Sequence, residues 1–391
     1  MAFRPSGRPI LALTVIALVV PSAGAVRAFE PAPGVVAEVG ATVDSYANLR
    51  GGLAADGVIH SIGAFSVGLT FDLEALRFWS GGSFTVIAQQ SRGRAISENE
   101  VGALQYVSSI EAPEFTQVGE YYLEQNVAGG VLRLKLGKQD SNADFCAPEF
   151  AADFANCSFA TVPNVPMTTY PDAGLGLAVF ARALPWLEIG AGVYDGDAVG
   201  TDAGFTTVFD GEGGGFQIVE LRARPGGAGS GADRGAYRFG LWRHTEDVLQ
   251  ITDEAEYYGY SQNHGLYVEL DQPLWRRADR EEFAGLGAFI QYGWAPGDRN
   301  EIRNYFGGGL TWRGVLPGRG ADVIGLGVAS AHLCRQLRWM EGVTGETTGE
   351  IFYRAQLTPW LAVQPDLQYV VNPGGAGENA LAAGLRLDFG L

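Results

Sequence analysis

The last eleven residues, Leu381–Leu391, alternate without a break. Leu381, Ala383, Leu385, Leu387, Phe389 and Leu391 form one row, and Ala382, Gly384, Arg386, Asp388 and Gly390 form the other. Period two specifies an extended strand with one apolar face and one face carrying Arg and Asp. A soluble edge strand can have this pattern. Here similar strands recur along the chain, and an export signal precedes them. Together they imply an all-β, antiparallel transmembrane barrel in a bacterial outer membrane, apolar outside and polar within.

Residues 1–28 read as a signal peptide, and residues 29–391 as the barrel. Arg4 and Arg8 supply the positive start, and Ile10–Val20 is an apolar run too short to span a bilayer as a helix. Cleavage after Ala25 or after Ala28 fits the small residues that follow. The net charge is −17, and it becomes more negative once Arg4, Arg8 and Arg27 are removed. That argues against nucleic acid or an anionic membrane surface as a partner. Apart from Lys135 and Lys138 the bases are arginines, the better choice for multi-donor hydrogen bonding in a confined space. The 56 glycines, with 8 Trp, 15 Tyr and 21 Phe, suit a barrel with tight turns and aromatic girdles.

Sixteen strands are expected, at 36–47, 60–72, 82–91, 116–126, 131–139, 173–182, 185–193, 215–225, 235–243, 262–272, 284–294, 304–314, 320–330, 347–358, 361–371 and 379–391. The connections alternate in length. Asn126–Val131, Ala181–Pro185 and Thr358–Leu361 are short, whereas Ser91–Thr116, Lys138–Ala173, Tyr194–Gly215 and Arg243–Gln262 are long. Short periplasmic turns and long outer loops give this rhythm. Asp72–Ser80 reads as a short helix at an inner turn, and Val101–Ala112 as a helix within an outer loop. Arg224–Gly235 reads as a longer inner turn.

Strand phase sorts the charges. Arg133 and Lys135 face inward between Leu132, Leu134 and Leu136. Glu220, Arg222 and Arg224 face inward between Val219, Leu221 and Ala223. Glu350, Arg354 and Gln356 share one face, as do Gln364, Asp366 and Gln368, and so do Glu120, Tyr122 and Glu124. Arg or Lys on the lipid face would cost about 2–4 kcal/mol at mid-depth, which places these charges, with Arg386, in the lumen. The same residues could instead brace the wall as ion pairs.

A lumen of mixed sign does not select one ion charge. Donors and acceptors together suit neutral sugars, whose hydroxyls are both. Phe145, Phe150, Phe154, Phe159, Tyr170 and Tyr194 are candidates to pack against a pyranose face. The segment Gly137–Tyr170, with Gln139, Asp140, Asn142 and Asp144, is the expected pore-narrowing loop. Asp140, Asn142 and Asp144 lack the fixed Gly and closing Glu of a calcium loop, so neither metal nor cofactor is expected. The histidines His60, His244, His264 and His332 are dispersed, which speaks against zinc. No nucleophile elbow, HExxH or phosphate loop occurs. Cys146 and Cys157 could form a local disulfide in an oxidising compartment, or all three cysteines could remain free.

Five segments then carry a family resemblance: residues 101–112, 132–145, 154–179, 190–197 and 359–387. GKQDSNADF and QPDLQYVVNPGG are the most specific strings. In this order the segments resemble the carbohydrate-selective porin (OprB) family. The resemblance implies a sixteen-stranded barrel that passes glucose and related sugars by diffusion. Its selectivity would come from a constriction of charged and aromatic groups, with Gln139, Asp140, Asn142, Asp144 and Phe145 after the fifth strand and Gln364, Asp366 and Gln368 in the penultimate one. The expected partners are sugars as solutes and outer-membrane lipid, with either a homo-oligomer or a monomer possible, and no enzyme activity is expected. The rival readings are a general porin, a barrel enzyme using His244 or His264 as base, and a soluble secreted β-protein.

Overall fold

The computed structural model describes residues 29–196, 214–225, 235–251, 259–260, 262–277 and 283–390. Residues 1–28, read above as a signal peptide, residues 226–234 of the expected inner turn and Leu391 lie outside the described residues. Among the described residues, sixteen long strands form one antiparallel sheet. They are β1 (Val35–Arg50), β2 (His60–Asp72), β3 (Gly82–Gly93), β4 (Phe115–Val127), β5 (Leu132–Gln139), β6 (Gly174–Leu184), β7 (Leu187–Asp195) and β8 (Gly215–Ala223). The circuit continues with β9 (Ala236–His244), β10 (Asn263–Arg276), β11 (Gly285–Trp294), β12 (Ile302–Arg313), β13 (Val323–Leu333), β14 (Gly345–Thr358), β15 (Leu361–Val371) and β16 (Ala380–Gly390). A short segment, Phe29–Ala32, adds to β1.

The sheet closes on itself. β16 pairs with β1 from Gly390 opposite Gly40 to Leu381 opposite Arg50. Closure leaves no open edge, which a wall surrounded by hydrocarbon requires. The alternation read from the sequence holds through the wall. Leu136, Val219, Leu221, Ile351 and Leu367 are exposed on the outer surface, while Lys135, Glu220, Glu350 and Asp366 are buried inside. Trp79, Trp186, Trp275, Trp312 and Trp360 all sit exposed near the short-turn end, as an interfacial girdle would.

Both expected helices are absent. Residues 73–80 form a chain of turns: Asp72 Oδ1 accepts from the Glu74 and Ala75 amides, and Arg77 adopts φ 64°. The chain must re-enter the sheet at Gly82, which leaves no room for a regular helix. Residues 102–112 are irregular and follow a short π-helical turn, Ser97–Val101. Their side chains alternate between buried and half-buried, and their backbone groups are engaged by the barrel wall.

The apolar core lies inside the barrel. Phe145, Phe150, Phe154 and Phe159 pack against the wall residues Phe180, Phe289 and Phe352. Glycines on the wall make the sockets. A Cβ at Gly327 would lie 2.6 Å from the Phe154 ring, and one at Gly287 would lie 2.2 Å from the Phe150 ring.

Candidate functional site

Two long loops fold into the barrel, residues 94–114 and residues 140–173. Such backbone has no ladder partner of its own, so its polar groups must be met elsewhere. The inward carboxylates of the wall meet them. Glu350 accepts from the amides of Ala155 (2.7 Å) and Asn156 (2.9 Å). Asp271 accepts from Glu149 (2.9 Å) and Phe150 (3.0 Å), and Glu220 from Cys146 (3.1 Å). Glu120 accepts from Asp140 (3.1 Å). In the first loop, Leu104 and Gln105 donate to Glu346 at 2.8 and 2.7 Å.

The loop carbonyls find donors on the same wall. Gln364 reaches Asp153 O (2.9 Å), Gln368 reaches Val107 O (2.7 Å), Gln291 reaches Phe159 O (3.2 Å) and Tyr305 reaches Ser158 O (2.6 Å). Wall and loop are thus one hydrogen-bonded body, and the loop's path across the lumen is set by the wall's side chains.

Ion pairs complete the frame. Asp144, on the second loop, bonds Arg133 at 2.6 Å and Lys135 at 3.0 Å. Its burial opposes charge, but Lys135 and Arg133 outweigh that and hold its carboxyl well below the usual range. Arg133 also reaches Glu124 at 3.1 Å and lies 3.9 Å over the Phe180 ring. Arg222 bonds Glu220 at 2.7 Å, and its guanidinium also donates to the Asp144 carbonyl. Arg354 lies 3.6 Å from Asp153 and 3.3 Å from Asp388, and Arg386 bonds Asp44.

Two openings flank the second loop. On the loop-bearing side, a cavity of about 340 Å³ is lined by Ser108, Glu111, Asp140, Asn142, Thr161 and Tyr170, among others. Its Glu111 carboxyl is pushed up to about 7 by burial, although it accepts from Ser97 Oγ at 2.8 Å. On the short-turn side, a cavity of about 180 Å³ is lined by Glu149, Phe150, Asp153, Phe283, Thr311, Arg313 and Val323.

The residues expected at the constriction separate into two groups. Arg133, Arg222 and Arg224 keep part of their surface open to the lumen, and Asp140 and Asn142 line the outer cavity. Glu120, Glu124, Lys135, Gln139, Asp144, Phe145, Glu220, Arg354, Gln364, Asp366 and Arg386 are buried between wall and loop. Of the aromatic rings expected to meet sugar, Phe145, Phe150, Phe154, Phe159 and Tyr194 are enclosed in the core instead. An aromatic loop inside a barrel buries more surface against the wall than against a wet passage. Of those six, Tyr170 lines the outer cavity, and Phe150, although buried, borders the inner one.

The local disulfide does not form. Cys146, Cys157 and Cys334 are free thiols. Cys146 points to the wall, with Sγ 3.4 Å from Glu269, whereas Cys157 opens a helical turn beneath the outer cavity. Burial pushes the Cys146 thiol well up and the Cys157 thiol up to about 12. Among the described residues no cluster of His, Cys, Asp and Glu could hold a metal ion.

Several wall anchors went unnoticed in the sequence: Asp44, Glu269, Asp271, Glu346 and Arg238, which bonds Asp271 at 2.7 Å. Alternation alone would have located Glu269 and Asp271, which share the inward phase of Tyr267 in β10. Asp153 and Glu149 lie on the loop, where no periodicity points to them.

Comparison with known proteins agrees with this geometry. The family described as "Carbohydrate-selective porin, OprB family" matches residues 59–391. Porin B of Pseudomonas aeruginosa is 24% identical over 388 residues, covering 88% of this chain and 85% of that protein. The putative porin QuiX of Acinetobacter baylyi is 21% identical over 394 residues, with 88% and 86% covered. The high-pH structure of Pseudomonas putida OprB superposes with a TM-score of 0.82 at 23% identity, covering 91% of this chain and 94% of that one. The low-pH structure of the same protein gives 0.59 at 20% identity, with 91% and 92% covered. The chain belongs to the carbohydrate-selective porin (OprB) family, and it is an outer-membrane porin for sugars.

Proposed function

We propose that glucose-sized neutral sugars pass this barrel by diffusion through the two cavities that flank the second inserted loop. The observation that carries the reading is the division of labour in the lumen. Most inward charges are spent on holding the loop, so no open ring of one sign remains to select ions. The outer cavity offers hydroxyls, an amide, carboxyls and the half-buried Tyr170 ring. This mixture matches a sugar's hydroxyls and its apolar C–H face. The inner cavity repeats the theme with Glu149, Asp153, Thr311 and Arg313.

Within this reading Asp140, Asn142 and Tyr170 receive the sugar, and Arg133, Arg222, Arg224 and Arg313 meet it beyond the loop. Glu120, Glu124, Lys135, Gln139, Asp144, Phe145, Glu220, Arg354, Gln364, Asp366 and Arg386 act as the frame. Each contact is weak enough to release the solute, so passage needs no chemistry on it. The placement of the two candidate bases supports this. His244 Nε2 lies 3.2 Å from Gly196 O and its Nδ1 accepts from the Glu246 amide, and His264 is on the outer surface.

The test is the ion current through single channels as glucose is added. The wild type should show concentration-dependent interruptions, and Tyr170→Ala should shorten them several-fold. Interruptions unchanged in Tyr170→Ala and in Asn142→Ala would refute the assignment of the outer cavity.

A further inference from the structure

Among the described residues, four basic side chains on the outer surface of the barrel share one position. Arg92 on β3, Arg243 on β9, His264 on β10 and His332 on β13 all face outward and are exposed. Each is the next-to-last residue at the loop-bearing end of its strand. Among the described residues no exposed Asp or Glu accompanies them in these rows, although the chain as a whole has a net charge of −17. Near the interface an outward Arg is tolerated; at mid-depth it is not.

Arg243 and His264 are directly paired across β9 and β10, and Arg243 is paired on its other side with Gln217. The His264 ring lies 6.2 Å from that of Trp294. Among the described residues Arg243 has no ion-pair partner. Immediately below this row, a groove of about 450 Å³ runs toward mid-membrane, lined by Leu177, Val179, Val193, Val219 and Leu241. Its floor is Ala191, a short side chain paired between Val179 and Val219.

We propose that this groove holds one lipid of the loop-side leaflet, bearing an anionic phosphate headgroup. The acyl chain lies over Ala191, and the phosphate is bound by the Arg243 guanidinium, the His264 imidazole and the Gln217 amide. Charge complementarity selects this occupant. A guanidinium donates to phosphate oxygens through several N–H groups at once, and a basic row at interfacial depth attracts anionic headgroups. The second arginine of this row, Arg92, is already engaged with Phe115 O and Thr116 Oγ1. The chain's negative total therefore hides a local basic site on the membrane-facing surface.

Native mass spectrometry of the full chain in detergent tests this, with phosphatidic acid or phosphatidylcholine as the added lipid. The wild type should retain phosphatidic acid under activation that strips phosphatidylcholine. Arg243→Gln combined with His264→Gln should reduce the retained fraction roughly tenfold. Ala191→Phe, which fills the groove and keeps both bases, should reduce it as well, with single-channel conductance unchanged in both variants. Equal retention of the two lipids by the wild type overturns the proposal, as does wild-type retention by either variant. A lipid-free dimer or trimer that disappears in the double variant also overturns it, because the row would then be a contact between copies.

Discussion

The guanidinium of Arg386 grips the carboxylate of Asp44 through two bonds, Nε to Oδ1 at 2.8 Å and Nη2 to Oδ2 at 2.6 Å. These residues are directly opposite one another where the last strand meets the first. Ser108 from the first inserted loop donates to the same carboxylate. One ion pair therefore ties together the barrel's closure and a loop inside it. Replacing Arg386 by Leu leaves Asp44 buried and unpaired. The expected cost is about 3–5 kcal/mol. Arg386→Lys should recover only part of it, because an ammonium lacks the fork. The temperature at which the purified barrel loses its compact electrophoretic mobility measures this; an unchanged temperature for Arg386→Leu would remove the seam from the account.

Glu350 is the pin for the middle of the second loop. Glu350→Ala strips the Ala155 and Asn156 amides of their acceptor, and a buried amide left unsatisfied costs about 1–3 kcal/mol. The loop should loosen there, with single-channel conductance rising and the preference for sugar falling. Glu350→Gln keeps one acceptor oxygen and should fall between the two. Conductance equal to wild type in Glu350→Ala would mean that the loop is held by its phenylalanines alone.

Gly327 tests the other half of the loop's attachment. Its absent side chain is the socket for Phe154 and Phe159, whose ring atoms would lie 2.6 and 2.9 Å from an added Cβ. Gly327→Ala should destabilise by about 1–3 kcal/mol through overpacking. Combining it with Phe154→Leu should relieve part of that cost. Thermal unfolding of the two variants side by side decides it.

Glu111 predicts a pH dependence. Its folded pKa, about 7, lies above the ordinary 4.5 because burial disfavours the charge. The native state then binds more protons than the unfolded state between those values. Its contribution to stability is fully present below pH 4.5 and is lost as pH rises through 7. Protease cleavage within residues 94–114 should accordingly be faster at pH 8 than at pH 5, after correction for the protease's own profile. Glu111→Gln should flatten that difference; an undiminished slope would trace it to other groups.

The wall was legible in the sequence because lipid imposes a strict rule on it. Each strand must present an apolar row to hydrocarbon, so period two survives in Val219–Ala223 and in Leu361–Tyr369 alike. The loops obey no such rule. Residues 101–112 carry side chains that would suit a helix, yet Glu346 and Gln368 claim their backbone groups and hold them irregular. The phenylalanines of residues 145–159 read equally well as sugar platforms or as core; only the glycine sockets opposite them decide for core. Cys146 and Cys157 are close in sequence, but their segments face different walls. The division between residues that hold the loop and residues that border the passage depends on which carboxylates the loop reaches, and sequence phase cannot supply that.

Liposome swelling tests the central claim most directly. Vesicles carrying the protein should swell faster in glucose than in gluconate, which has similar size and one negative charge. Arg133→Ala, which removes a proposed sugar contact, should slow swelling in glucose. Equal swelling rates in the two solutes for the wild type would contradict a sugar-preferring passage.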